Sequence, residues 1–164
     1  MKSETQFSHL QKKIRTYKHY PEYDLILAPF NIKKKNLKNL KRGDVLLLGL
    51  DVLMLFFMEK NKMQKNKICA TLKLEKHNNI VKVRIESLNT IDTHSENGKK
   101  WEKIYCSLAQ VQCRKLEVGH TITLDTEVLT FVELFHSDLK VAEGKLISVD
   151  HEIAIEITEV KHND

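Results

Sequence analysis

Three cysteines, Cys69, Cys106 and Cys113, and eight histidines are the residues of this 164-residue chain whose types could support metal or thiol chemistry. Cys106 and Cys113 lie near His94 and His120 in sequence, yet there is no Cys-x-x-Cys and no His-x-x-x-His pair, so the spacing of a structural zinc site is missing. Neither cysteine stands in a glycine-rich or helix-opening context that would lower a thiol pKa, which argues against a Cys/His nucleophile. An odd number of cysteines without framework spacing reads as ordinary thiols in a reducing compartment. The five glycines form no phosphate-binding loop. The carboxylates of Glu152, Glu156 and Glu159 fall on the wet side or at the end of an alternating run. The expectation is therefore a protein that is not an enzyme, with no catalytic site, no metal and no cofactor.

What the chain offers instead is β structure. Residues 128–160 hold four apolar or alternating runs joined by polar turns, His136-Ser137-Asp138, Glu143-Gly144 and Asp150-His151-Glu152. In the last run Ile153, Ile155 and Ile157 alternate with Ala154, Glu156 and Thr158, which places the isoleucines on one face of a strand. The first run is apolar on both parities: Val128, Val132 and Leu134 on one, Leu129, Phe131 and Phe135 on the other. A strand of that kind needs cover on both faces, which a unit of about 45 residues does not readily supply alone. A second copy of the unit, or a partner, is implied.

Length and a 41% hydrophobic content allow one medium domain or two small ones. The most apolar stretch, residues 45–58, is shorter than the roughly 20 residues of a membrane-spanning helix and is interrupted by Gly49 and Asp51. The first residues have no apolar core region of a signal peptide, so a cytoplasmic location is expected. Residues 1–42 carry eleven Lys/Arg against three Asp/Glu, whereas residues 121–164 carry three against ten. An acidic terminal unit weighs against a uniform nucleic-acid binder and suits association between oppositely charged units.

Taken in order, residues 1–23 read as a basic N-terminal arm. Residues 24–28 read as a first strand, and residues 31–41 as a short surface helix leading to the Arg42-Gly43-Asp44 turn. Residues 45–48 and 52–58 read as two buried strands. After a charged loop, Ile68, Ala70, Leu72 and Leu74 alternate with polar partners, as do Val81, Val83 and Ile85 beyond a His77-Asn78-Asn79 turn, giving a hairpin. Residues 88–103, low in apolar residues, read as a linker ending in Trp101, an anchor onto a neighbouring unit. Residues 104–116 suit neither the helical nor the strand period well.

The chain also repeats itself. The segment Leu40-Lys-Arg-Gly43-Asp-Val-Leu-Leu-Leu48 aligns with Leu116-Glu-Val-Gly119-His-Thr-Ile-Thr-Leu124, and each is followed by a turn with Asp51 or Asp125 and then an apolar strand. Residues 52–58 then match 128–135, 68–74 match 139–147, and 81–85 match 153–157. Two such units, 24–87 and 104–164, can bury their doubly apolar strands against each other, with Phe56, Phe57, Phe131 and Phe135 as the core of the interface. Gly43, Gly119 and Gly144 are assigned to turns that need glycine geometry.

The ordered set of motifs over residues 116–160 resembles the SpoA (surface presentation of antigens) domain. Those motifs are Leu116-Glu-Val-Gly119-His-Thr-Ile-Thr-Leu-Asp125, Val132-Glu-Leu134, Val141-Ala-Glu-Gly144-Lys-Leu-Ile147 and Ala154-Ile-Glu-Ile-Thr-Glu159. This is the C-terminal module of the flagellar motor switch proteins FliN and FliM and of their type III secretion cytoplasmic-ring counterparts. The resemblance implies a mostly β fold in which two SpoA-like units intertwine into a small β-barrel, within one chain or as a dimer. It further implies a scaffold of the C-ring or sorting platform, in the machinery of motility, chemotaxis or secretion, at the cytoplasmic face of the inner membrane. Implied partners are FliM/FliN-type ring proteins, in homo- or hetero-oligomers, and the FliH-type export ATPase regulator. The regulator's apolar patch would map to Leu146, Ile147 and Val149. The competing reading is a small β-barrel nucleic-acid-binding protein, motivated by the basic residues between Ile32 and Arg42. Exposed aromatic rings would favour it.

Overall fold

Alternating apolar and polar residues, rich in Ile, Val, Phe and Thr, draw most of this chain into strands. The structure is a computed structural model and describes residues 20–59, 67–92 and 100–161. The N-terminal arm up to residue 19, the charged loop at 60–66 and the turn-rich residues 93–99 lie outside the described residues. The strands are β1 (Glu22–Leu27), β2 (Phe30–Lys33), β3 (Val45–Leu50), β4 (Leu55–Glu59), β5 (Lys67–His77), β6 (Ile80–Asp92), β7 (Trp101–Gln112), β8 (Thr121–Asp125), β9 (Phe131–His136), β10 (Leu139–Val149) and β11 (Glu152–Val160). Among the described residues one short helix, α1 (Lys34–Lys38), and one 3-10 turn (Thr126–Leu129) complete the set.

The strands pair antiparallel in one eleven-stranded sheet of order β3-β11-β10-β9-β7-β1-β4-β5-β6-β8, with β2 paired to β7. Read from the other end, the order repeats with β8, β6, β5, β4 and β1 in the places of β3, β11, β10, β9 and β7. In the first half β3, the strand after the Gly43 turn, pairs with the last strand of the second half, β11. In the second half β8, the strand after the Gly119 turn, pairs with the last strand of the first half, β6. β1 and β7 pair at the centre. The two halves thus exchange strands, as expected for intertwined units in one chain.

The exchange is the same bond for bond. The Gly43 N–H donates to the Ile157 carbonyl and the Ile157 N–H to the Asp44 carbonyl, both at 2.8 Å. In the other half the Gly119 N–H donates to the Ile85 carbonyl at 2.8 Å and the Ile85 N–H to the His120 carbonyl at 2.9 Å. Gly43 and Gly119 have φ of 92° and 91°, a left-handed geometry that glycine adopts without steric cost. The fold class expected from sequence is the one observed, but the sheet remains open. Among the described residues β3 and β8 are the two ends of the strand order, and β2, paired to β7 alone, is a further edge.

One core serves both halves. Leu25, Leu55, Phe57, Val83 and Ile85 from the first meet Cys106, Val132, Leu134, Ile155 and Ile157 from the second, and all are buried. Tyr23 stacks on Phe57 with ring centroids 5.7 Å apart. A smaller cluster, Ile26, Phe56, Met58, Ile68 and Tyr105, gathers residues of opposite strand parity. The doubly apolar β4 is explained by this arrangement, since Phe57 enters the main core and Phe56 the smaller one.

β9 departs from expectation. Val132 and Leu134 are buried, Phe135 packs at the margin of the smaller cluster, and Phe131 is 63% exposed rather than part of the core. The double parity arose because Val128 and Leu129 belong to the 3-10 turn, with Leu129 buried, so the strand alternation starts only at Phe131. Val52 and Met54 likewise precede β4 and are exposed.

Gly144 is not in a turn. β10 runs unbroken through Glu143 and Gly144, with a register shift between them. A Cβ on Gly144 would meet Ile155 Cγ2 and come within 3.1 Å of the Glu156 carbonyl oxygen, so the glycine is there for close approach. The turns expected at Asn78, Ser137 and Asp150-His151 are present, each with left-handed backbone. Both ends of the segment read as a linker are strand, because β6 reaches Asp92 and β7 opens at Trp101. The segment 104–116, which suited neither period, is mainly strand β7. Residues 31–41 form the end of β2 and α1 rather than a helix throughout.

Candidate interaction surface

Adjacent residues of a strand face opposite ways, so β10 splits the three residues Leu146, Ile147 and Val149 between two surfaces. Leu146 lies opposite Ile155 and, across β11, Leu46. Both Leu46 and Leu146 pack against the main core. Ile147, half-buried, lies opposite Ala154, which is fully buried and lies opposite Leu47, so on this parity only Leu47 of the row is largely exposed. The neighbouring outward row runs Phe131, Lys145, Glu156 and Val45 across β9, β10, β11 and β3. Val149 shares the outward parity of Ile147 and is half-buried. Leu47 is 61% and Val45 is 45% exposed, and with Phe131 they extend the apolar face.

The symmetry mate of this face is polar. Gly144 opposite Ile157 corresponds to Leu72 opposite Ile85, which sets the register between the halves. The row Ile147, Ala154, Leu47 then corresponds to Glu75, Lys82, Thr123, and Lys145, Glu156, Val45 corresponds to Lys73, Arg84, Thr121. Arg84 and Glu75 form an ion pair at 3.4 Å. The same backbone therefore tolerates charged and hydroxylic side chains where the first face is apolar. Folding alone does not require Val45, Leu47 or Ile147 to be apolar.

Of the three residues expected to form the patch, Ile147 and Val149 share one parity and Leu146 takes the other; that Val45, Leu47 and the small Ala154 stand beside Ile147 was not read from the sequence. Their apolar character was visible; their position depended on the strand exchange, which brings β3 beside β11. Of the four aromatic residues expected at the interface between units, Phe57 and Phe56 are buried, Phe135 is half-buried and Phe131 lies on the outer face.

Polar groups elsewhere tie elements together. Glu102 on β7 accepts from Lys34 Nζ at 3.2 Å and contacts His136 Nε2 at 2.5 Å, fastening α1 and the end of β9 to β7. Burial raises the Glu102 pKa, but the bonds from Lys34 and His136 outweigh it and hold the carboxyl below its ordinary range. On the outer face Lys140 bonds Glu143 and approaches Glu133 at 3.6 Å. The bond from Glu143 raises the Lys140 pKa, and the same bond lowers that of Glu143. Burial pushes the Cys106 thiol well above its ordinary pKa and raises that of Cys113. Cys113 Sγ donates to the Lys115 carbonyl at 3.3 Å. Among the described residues no three His, Cys, Asp or Glu side chains group to hold a metal ion. No helix there is long and apolar enough to cross a membrane.

Residues 110–161 match the model of a family described as Type III flagellar switch regulator (C-ring) FliN C-term. This part of the chain is similar to the C-terminal domain of FliN, of the flagellar switch C-ring. Among curated proteins none matches the chain. The FliN-type match opens near the end of β7 and closes just past β11. Inside it, β8 pairs with β6 from outside the match, and β11 takes β3 from outside it. The matched segment is thus completed by strands of the first half, which holds the equivalent strands in the equivalent order. The match supports a C-ring scaffold role.

Proposed function

We propose that the chain is a ring subunit in which one polypeptide supplies both members of the intertwined pair, seated at the cytoplasmic face of the inner membrane in a flagellar or type III secretion assembly. It binds FliM/FliN-type ring proteins there and receives the FliH-type export ATPase regulator on the outer face around Ile147 and Val149. The observation that carries this reading is the apolar outer face of the FliN-type half against the charged face of its symmetry mate. Burial of one such aliphatic side chain against a partner contributes about 1.5–3 kcal/mol. That is enough for two or three of them to govern a contact.

Co-purification of the full chain with the ring protein and the regulator encoded in the same cell tests it. The regulator should co-migrate with wild type and be lost with Ile147→Asp while the fold is kept. A folded chain that ignores both partners would contradict the proposal.

The nucleic-acid reading draws support from two exposed aromatic rings, one of them Phe131, 63% exposed. Trp101, 44% exposed, carries the Lys33 ammonium 5.6 Å above its ring, beside the basic α1 segment. Against it, Phe56 and Phe57 are buried and unavailable for base stacking. A salt-dependent shift with single-stranded nucleic acid, together with no response to the ring partners, would favour this second reading.

A further inference from the structure

β2 and α1 form an insertion that the second half does not repeat. There the chain passes from β7 through Cys113-Arg114-Lys115 alone to Leu116, the counterpart of Leu40. Ile32 and Leu40 are buried and hold the insertion to the main core. Its charge has no such part in the fold. From Lys33 to Arg42 there are six Lys/Arg and no Asp/Glu. Lys33, Lys34, Lys35, Lys38, Lys41 and Arg42 are all exposed. Glu102 pairs with Lys34, but among the described residues Lys35, Lys38, Lys41 and Arg42 have no ion pair. In the shorter connection of the second half Lys115 is paired with Glu117 at 2.9 Å. Trp101, expected from the sequence to anchor onto a neighbouring unit, lies directly opposite Lys33 and is 44% exposed. The Lys34 N–H donates to the Lys100 carbonyl at 2.9 Å, which sets the exposed Lys100 beside the same patch.

We propose that this insertion, with Trp101, is a membrane-contact surface that takes the headgroups of an anionic phospholipid bilayer. Charge complementarity selects an anionic occupant, and the kind of cation selects a diffuse one. Five of the six cations are lysines. Lysine is a point charge on a flexible stem, whereas planar, bidentate recognition of phosphate favours arginine. A charged bilayer attracts such a cluster as a whole, without fixed partners. A lone tryptophan beside it suits the same occupant, because an indole settles at headgroup level with its ring in the apolar layer and its N–H in water. Nucleic acid fits less well. Successive bases ask for successive rings. The other exposed ring, Phe131, is five residues, about 16 Å, along β9 from His136, the residue paired with Ile104. The insertion shares no residue with the face around Ile147, and vesicle binding is read without ring proteins, so this proposal and regulator binding fail separately.

Trp101 is the only tryptophan in the chain, so its emission reports on the surface directly. With vesicles of phosphatidylcholine and phosphatidylglycerol in equal parts, at low salt, the emission of the full chain should move to shorter wavelength and the chain should sediment with the vesicles. Pure phosphatidylcholine should do neither, and added salt should release the bound chain. Lys35→Gln with Lys38→Gln removes two exposed charges with little change in helix propensity. It should weaken vesicle binding roughly 25-fold, about fivefold for each lysine, with an unchanged thermal melt. Wild type that ignores the mixed vesicles, that binds pure phosphatidylcholine equally well, or that is not weakened by the double substitution would overturn the proposal. So would the same shift of Trp101 emission with inorganic phosphate alone, which would make the patch a phosphate site. A complex with polyuridylate that survives salt able to strip the vesicles would assign the patch to nucleic acid and overturn it likewise.

Discussion

The Gly43 N–H and the Ile157 carbonyl are joined by a 2.8 Å hydrogen bond that ties the opening of the first half to the closing strand of the second. Its counterpart joins Gly119 to Ile85 at the same distance. Both glycines are left-handed with nothing within 4 Å of a would-be Cβ. Substitution there meets backbone strain and no clash. Gly43→Ala and Gly119→Ala should each lower the unfolding free energy by about 1 kcal/mol. Gly144→Ala drives a methyl into Ile155 and should lower it more, by about 1–3 kcal/mol. Urea midpoints of the three variants check the order, and a harmless Gly144→Ala would contradict the crowding at β10.

Leu146 and Ile147 are neighbours that answer to different surfaces. Leu146→Asp puts a charge against the main core and should destabilise by about 2 kcal/mol or more. Ile147→Asp changes an outward position whose symmetry mate is Glu75, and its effect on stability should stay within about 1 kcal/mol. Thermal melts separate the two. Equal losses would mean that Ile147 is as much a part of the core as Leu146.

Glu102 gives the fold a pH dependence of defined sign. Its folded-state pKa lies below its ordinary value, mainly because the bonds from Lys34 and His136 outweigh the cost of burial. Its stabilising contribution is therefore complete above the unfolded-state value of roughly 4.3 and is lost as pH falls through the folded-state value. Glu102→Gln should destabilise by about 1 kcal/mol at neutral pH, and its urea midpoint should converge with that of wild type in acid. A gap between the two that widens as pH falls would contradict this account of the Lys34, Glu102 and His136 contacts.

Much of this architecture was legible in the sequence, and where reading failed the reasons are local. The Gly43 and Gly119 segments aligned because both turns need left-handed backbone, and the alternating isoleucines of β11 could face only one way. The equivalence of β1 and β7 was hidden because the connection after β1 holds β2 and α1, whereas the one after β7 is a short turn. Val128 and Leu129 mimicked strand residues because a 3-10 turn can also turn an apolar side chain inward. Gly144 was read as a turn because its neighbours Glu143 and Lys145 are polar, although a strand with a crowded face needs glycine as much as a turn does. The outer face was half legible. Ile147 and Val149 lie on one strand, but Val45 and Leu47 join them only through the exchange of β3, a long-range pairing that leaves no local pattern.

That exchange within a single chain is the central claim, and a cross-link tests it most directly. Leu46 on β3 lies directly opposite Ile155 on β11, and Val83 on β6 directly opposite Ile122 on β8. Directly opposed residues of antiparallel strands have Cβ atoms about 4.5–5.5 Å apart, close enough for a cysteine pair to bridge with modest adjustment. Leu46→Cys with Ile155→Cys, and separately Val83→Cys with Ile122→Cys, should each oxidise to a bridge found by peptide mapping, in a species that runs at the monomer mass on a denaturing gel. Covalent dimers held by those same bridges would show that the strands are exchanged between two chains, and the one-chain pair would be wrong.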